Sequence, residues 1–128
     1  LVQPVLDAHC VRCHKPGGEK AKAVAKLDLT SGKSYKALLS HDGLQGIVNS
    51  RYSAGRSVVQ DCIALKSRLP GMFLGAKPHN DVRLDADAVE RIVTWLDVYA
   101  QRLGSFSDEQ ERDLLALRRA WADMLIEP

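Results

Sequence analysis

The sequence predicts an all-α domain, and three observations carry that prediction. Apolar residues recur every three or four positions in the two strongest segments, 86–103 and 108–125, which is the spacing of one helix face. Glycines and prolines lie between such segments rather than inside them, as expected for connecting loops. Alternation of apolar and polar residues, the pattern of a strand, is confined to the short stretch "LDLTSG" at 27–32.

The composition is that of one soluble globular domain. The chain has 128 residues, of which 45% are hydrophobic and 27% charged, both ordinary values for a folded domain. A net charge of +2 is too small to predict nucleic-acid binding, and no apolar run approaches the ~18 residues of a membrane span. Aromatic residues make up only 5% of the chain, so a bulky apolar cofactor would help to fill the core.

The first half of the chain predicts two helices. In "QPVLDAHCVRCH" Pro4 suits the first helical turn, and 16–18, "PGG", ends the helix. The segment 33–41, "KSYKALLSH", predicts the second helix, with its apolar residues on one side. Three glycines in 42–57 favour a loop there.

The second half predicts three helices. The segment 57–69, "SVVQDCIALKSRL", has the pattern of a short amphipathic helix that ends before "PG", and an irregular loop follows. Asp85 suits the cap of the long helix at 86–103. Ser107 and Gln110 form a capping-box pattern, which opens a last helix whose apolar stripe is Leu114, Leu117, Trp121 and Met124.

The most informative motif is C-x-x-C-H, formed by Cys10, Cys13 and His14. This spacing is the attachment signature of c-type haem. Two thiols one helical turn apart can add to the two vinyl groups at one edge of a porphyrin, and the next residue brings its imidazole to the iron. We therefore expect one covalent haem c, with Cys10 and Cys13 as thioether attachments and His14 as the proximal iron ligand.

Three other interpretations stay open. The pentapeptide is short enough to arise by chance. Cys10 and Cys13 could begin a zinc site, although Cys62, His41 and His79 are scattered and follow no zinc-ligand spacing. A dithiol redox pair is the third interpretation, but that motif usually follows a strand in a βαβ unit. An odd count of three cysteines argues against a disulfide framework, and Cys62 is interpreted as a small buried hydrophobe.

The order of these features resembles a small cytochrome c domain. The segments "VQPVLDAHCVRCHKP", "LDLTSGKSYKALL" and "HNDVRLDADAVERIVTWLDVYA" resemble planctomycete-type cytochrome c domains and related domains of proteins similar to the hydrazine synthase alpha subunit. The likeness covers residues 1–106, and 107–128 would be a C-terminal helical extension. It implies a single-haem cytochrome c-like fold with one extra helix.

The sixth iron ligand has two candidates, both in the loop before the long helix. His79 follows Pro78, which stiffens the backbone, and Asp81 could orient its outer nitrogen; the resemblance also favours His79. Met72 could instead present its thioether. The structural alternatives are a surface histidine bonded to Asp81 and a core methionine packed beside Phe73. Arg51, Tyr52 and Arg56 are candidates for the haem propionates, or else form an exposed basic loop.

These features predict one-electron transfer by six-coordinate iron rather than catalysis. The alternatives are a haem enzyme or small-ligand-binding domain with an open sixth position, and a haem-bearing docking module of a larger protein. The partner is expected to be a redox protein or a neighbouring domain, with no nucleic acid and no membrane span. The resemblance implies maturation outside the cytoplasmic membrane, and therefore a periplasmic location.

Overall fold

The computed structural model describes residues 1–18, 27–55, 59–102 and 107–125, and within these ranges the chain is helical with no strand. The all-α fold class is therefore confirmed. One 3₁₀ turn, His79–Asp81, lies between the fifth and sixth helices. The helices are α1 (Gln3–His9), α2 (Ser34–Ser40), α3 (Leu44–Ser53), α4 (Ile63–Lys66), α5 (Gly71–Leu74), α6 (Ala86–Asp97), α7 (Asp108–Ala120) and α8 (Ala122–Leu125).

Helix α6 provides the centre of the core. Its buried residues are Ala88, Ile92, Trp95 and Leu96, whose spacing places them on one face of the helix. The predicted cap is confirmed, because the Asp85 carboxylate accepts a hydrogen bond from the N–H of Ala88 at 2.8 Å. The remaining buried apolar residues come mainly from α1 to α4: Val5, Leu6, Leu29, Leu38, Leu39, Leu44, Val48, Ile63, Ala64 and Ala100.

Helix α3 corrects the prediction of a glycine-rich loop over 42–57. Gly43 has a φ of +74° and begins the helix, and left-handed backbone of this kind favours glycine. Leu44 and Val48, four positions apart, are both buried, so the helix gains a packed face. Gly46 has open space around it. Tertiary packing of that face therefore outweighs the low helix propensity of glycine here.

Helix α4 is shorter than the helix predicted over 57–69. Among the described residues of that segment, helix begins only at Ile63. Val59 is 90% exposed and Gln60 is left-handed, so the first residues have no apolar surface to pack on. The side chain of Asp97 in α6 accepts a hydrogen bond from the N–H of Ala64 at 2.9 Å, which caps α4 from another helix.

Gln3 joins the first helix to the segment before α2. Its amide nitrogen donates to the carbonyl of Leu29 at 3.1 Å, and its amide oxygen accepts from the hydroxyl of Ser34, a buried residue, at 2.6 Å. A second cluster stabilises the same segment, since Asp28 accepts from the Thr30 hydroxyl at 2.6 Å and from Lys33 at 2.9 Å. This segment is thereby held against α1.

The last helices carry the predicted apolar stripe on their exposed surface. The capping box is confirmed at its first half, because the Ser107 hydroxyl accepts from the N–H of Gln110 at 3.1 Å. Glu111 lies 3.6 Å from Arg102, which joins α7 to the end of the preceding segment. The predicted boundary between 106 and 107 adjoins 103–106, outside the described residues. The exposed stripe consists of Leu114, Leu117, Trp121 and Met124, between 39% and 66% exposed.

None of the helices in the described part of the chain combines the length and the apolar character needed to cross a bilayer.

Candidate functional site

A largely apolar cleft with an open mouth contains the residues predicted to attach haem and to bind its iron. One side, here called the proximal wall, comprises residues 2–18 and 27–29; the opposite side, the distal wall, comprises residues 69–84. The lining includes all four histidines of the chain: His9, His14, His41 and His79.

The turn after α1 brings the two motif cysteines and His14 into the cleft. The carbonyl of Cys10 accepts hydrogen bonds from the N–H of Cys13 at 3.1 Å and of His14 at 2.9 Å. These bonds keep the motif in one helical turn, so that all three side chains line the cleft. The carbonyl of His14 in turn accepts from the N–H of Leu29 at 2.9 Å, which holds the turn from its other side.

Gly18 allows the motif turn to close. Its N–H donates to the carbonyl of Lys15 at 3.0 Å. A Cβ at this position would lie 2.7 Å from the carbonyl oxygen of Cys13 and 2.9 Å from that of Arg12. Because backbone atoms cannot move aside as a flexible side chain can, the close approach requires glycine.

The two motif thiols are neighbours and half-buried. No disulfide joins the cysteines of the chain. Burial raises the pKa of the Cys10 thiol, and the nearby Cys13 raises it further. Cys10 is therefore held in its neutral form until it reacts or binds a ligand.

The His14 ring is held neutral by its surroundings. Burial lowers its pKa most; His79 and His41 lower it further, while the backbone of Leu27 acts in the opposite direction. Nδ1 is buried, and no atom meets full hydrogen-bond geometry with it, although the Leu27 backbone is close enough to affect the pKa. A neutral imidazole is the form that binds metals, and a buried ring nitrogen without a partner is costly.

His79 faces His14 across the cleft. The two ring centroids are 6.0 Å apart, with 37° between the ring planes. A metal–imidazole bond is about 2 Å long, and a ring centre lies about 1 Å beyond its ligating nitrogen, so two imidazoles that share one metal have centroids roughly 6 Å apart. The separation of the two ring centroids is therefore of the size expected for two imidazoles on one metal, while Nε2 of His79 is engaged by Asn80 in this structure.

Asn80, rather than Asp81, contacts the ring of His79. Its side-chain nitrogen lies 2.8 Å from Nε2 of His79. Asn80 and Asp81 both have left-handed backbone, with φ of 48° and 58°, which asparagine and aspartate adopt more readily than most residues. The expectation that Asp81 orients His79 is thus replaced by a contact with Asn80.

Met72 lies on α5 and lines the same cleft, half-buried beside Phe73. Both predicted sixth ligands are therefore on the distal wall. His79 is the candidate whose ring faces that of His14, at 6.0 Å between centroids.

The residues proposed for the propionates are not brought to the cleft. Arg51 forms an ion pair with Asp61, and the Tyr52 ring packs edge-on against Tyr99 with centroids 5.8 Å apart. Neither lines the cleft, because both are on the last turn of α3, which the sequence analysis took for a loop. Arg56 is outside the described residues.

The geometry does not favour the zinc interpretation. Among the residues that the structure describes, no three or more His, Cys, Asp or Glu side chains are grouped so as to hold a metal ion. Cys62, half-buried at the start of α4, is not part of the cleft. A structural zinc site takes four such ligands.

Sequence reasoning missed two polar residues of the cleft, His41 and Asn80. His41 directly follows α2, and its side chain lines the cleft. Asn80 gave one usable signal, because asparagine after a proline–histidine pair is typical of a turn. No sequence spacing connects either residue to Cys10.

No protein family, curated protein or solved structure matches this chain. The function is therefore argued from the motif and the cleft.

Proposed function

We propose that this chain is a single-haem c-type cytochrome domain that transfers one electron at a time. Cys10 and Cys13 are the thioether attachments, His14 is the proximal ligand and His79 the distal one. The observation that carries the proposal is the position of His79 opposite His14, at 6.0 Å between ring centroids, in the cleft that also receives both motif thiols.

Each residue has a distinct task in this proposal. The haem supplies the exchange of one electron between ferric and ferrous iron. Cys10 and Cys13 fix one edge of the ring, because their thiols lie one helical turn apart. The backbone of Leu27 is near the His14 ring and acts on its pKa, and a neutral His14 would bind the metal through one ring nitrogen. The apolar lining, which includes Leu6, Leu29 and Ile92 among its residues, excludes water and favours the less charged redox state.

The pair of axial ligands sets the direction of the redox potential. Axial ligation moves haem potentials over a range of about 0.8 V. Two histidines give a low potential, whereas a thioether from Met72 would stabilise ferrous iron and raise it. We therefore expect a low-potential protein.

The test is the intact mass and the visible spectra of the protein from cells that attach haem to cytochromes. We expect the mass of the polypeptide plus one haem, and six-coordinate low-spin spectra in both oxidation states. The double variant Cys10→Ala/Cys13→Ala should lose the covalent haem. Cys62→Ala is the matched control and should keep it. A wild-type mass equal to that of the bare polypeptide overturns the proposal.

The family resemblance and the maturation of such haems support a periplasmic location and a redox protein, or a neighbouring domain, as partner. A second candidate function, a haem-bearing docking module, is favoured by one observation: the exposed apolar stripe of α7 and α8. Replacing Leu117 and Trp121 by serine should then abolish association with the partner domain while the haem spectrum is unchanged.

A further inference from the structure

The amide of Asn80 is in direct contact with Nε2 of His79, the nitrogen through which His79 would bind iron in the proposed function. Its Nδ2 lies 2.8 Å from Nε2 of His79, a distance typical of a good hydrogen bond. If Nδ2 donates, it takes the lone pair of Nε2. If the amide is turned over, its oxygen accepts the Nε2 hydrogen. In either orientation the nitrogen cannot bind a metal while the bond exists.

The backbone makes this contact local and specific. His79 and Asn80 are consecutive, and Asn80 has a φ of 48°, so its side chain turns back towards the ring before it. Both residues are exposed at the cleft, and the N–H of Val82 closes the turn on the carbonyl of His79 at 3.0 Å. The turn therefore places the amide beside the His79 ring.

We propose that Asn80 is a positioning residue that controls how readily the sixth coordination position opens, so that the domain binds a small neutral ligand, such as a diatomic gas, on its distal side. The inference rests on the proposed function. His79 has two partners for one nitrogen, iron and Asn80, and the hydrogen bond stabilises the form in which His79 has left the iron.

The competition between iron and Asn80 for Nε2 of His79 has a predictable size. A neutral hydrogen bond contributes about 0.5–1.5 kcal/mol net, which corresponds to roughly twofold to tenfold in a population ratio. When the open form is a minor one, the apparent affinity for an external ligand is proportional to its population. Loss of the Asn80 amide should therefore weaken ligand binding by that same factor.

The test uses the haem-loaded protein and carbon monoxide, titrated into the reduced form and followed by visible spectroscopy. Asn80→Gly removes the amide and keeps a residue that tolerates left-handed backbone; we expect carbon monoxide affinity to fall about twofold to tenfold. Asn80→Asp, whose carboxylate can accept the Nε2 hydrogen, should bring the affinity back towards that of the wild type. Gln60→Gly, at another exposed left-handed position that does not line the cleft, is the matched control and should change nothing.

The outcomes separate this inference from the proposed function. An unchanged or higher affinity in Asn80→Gly overturns the inference, because Asn80 would then be neutral or would hold His79 on the iron. An equal loss in Gln60→Gly overturns it as well, since the effect would come from backbone freedom. Absence of covalent haem, or a His79→Ala spectrum identical to that of the wild type, overturns the proposed function and the inference with it.

Discussion

The two walls of the cleft present histidines to the same space, but they are built in different ways. On the proximal wall, backbone hydrogen bonds hold His14 on both sides, through Cys10 and through Leu29. On the distal wall, His79 is in a single 3₁₀ turn, exposed, and followed by two left-handed residues. One wall presents a proposed ligand fixed within a motif, and the other presents a proposed ligand at the edge of a loop.

The difference explains which part of the site the sequence can specify. A ligand fixed by neighbours a few residues away leaves a readable spacing, as C-x-x-C-H does. A ligand carried by a loop is placed by contacts that are distant in sequence. For this reason His14 is predicted alone, whereas His79 and Met72 are predicted together as alternatives.

Removal of the proposed distal ligand should have the largest effect. His79→Ala is expected to convert the low-spin spectrum to a high-spin one and to allow rapid carbon monoxide binding, because the sixth position becomes vacant. Met72→Ala, in the same wall, is the matched control and should keep the wild-type spectrum. A spectral change in Met72→Ala alone would reverse the assignment.

A smaller but global effect is expected at Gly18, which closes the proximal wall. Gly18→Ala places a Cβ 2.7 Å from the carbonyl oxygen of Cys13, and we expect a loss of about 1–3 kcal/mol in the free energy of unfolding. Urea unfolding measures it. Gly46→Ala, in a helix with nothing within 4 Å of the new Cβ, is the control and should gain about 0.5–1 kcal/mol. Equal effects at both positions would show that the motif turn is not tightly closed.

The N-cap of α6, which begins directly after the distal wall, is expected to contribute about 1 kcal/mol to the free energy of unfolding. Asp85→Ala removes the acceptor for the Ala88 N–H, and caps of this kind contribute about 0.5–2 kcal/mol. The matched variant Ser107→Ala removes the cap of α7. Because α7 has no buried residue, loss of its cap should reduce helical circular dichroism with little change in the unfolding midpoint of the domain. A larger midpoint shift in Ser107→Ala contradicts this expectation.

The smallest effect concerns acid stability of the proximal wall. Hydrogen bonds from Thr30 and Lys33 lower the pKa of Asp28 to about 2 from its usual 3.8. A lowered pKa stabilises the fold above the unfolded value, and that contribution disappears as the pH falls from 3.8 towards 2. Asp28→Asn should therefore flatten the decline of stability in this range. Thr30→Val, which keeps the carboxylate but removes one donor, should give an intermediate slope; a slope equal to that of the wild type in both variants contradicts the prediction.

The fold was predictable where apolar periodicity and caps agreed. Asp85 and Ser107 were identified as caps from sequence, and both accept the expected hydrogen bonds. Helix α3 was missed because its glycines outweighed Leu44 and Val48 in the interpretation, although these two residues supply the packed face. The bounds of α3 depend on tertiary contacts with residues distant in sequence, which a short stretch of sequence does not reveal.

The identity of the site residues was more predictable from the sequence than their arrangement in space. Cys10, Cys13, His14 and His79 meet in one cleft, as the motif and the loop composition suggested. Arg51 was one candidate for the haem propionates, with an exposed basic loop as the alternative, and it pairs with Asp61. Asn80 could not be assigned a role from sequence, because its importance arises from its backbone angle and its distance to one ring nitrogen.

The hydrogen bond from Ala64 to the Asp97 side chain has a consequence for the dynamics of the domain. A four-residue helix such as α4 does not persist alone, so it must open together with α6, and amide hydrogen exchange should protect the two to a similar degree. The chain between them, which contains the distal wall, is consequently anchored at both ends in one cooperative unit.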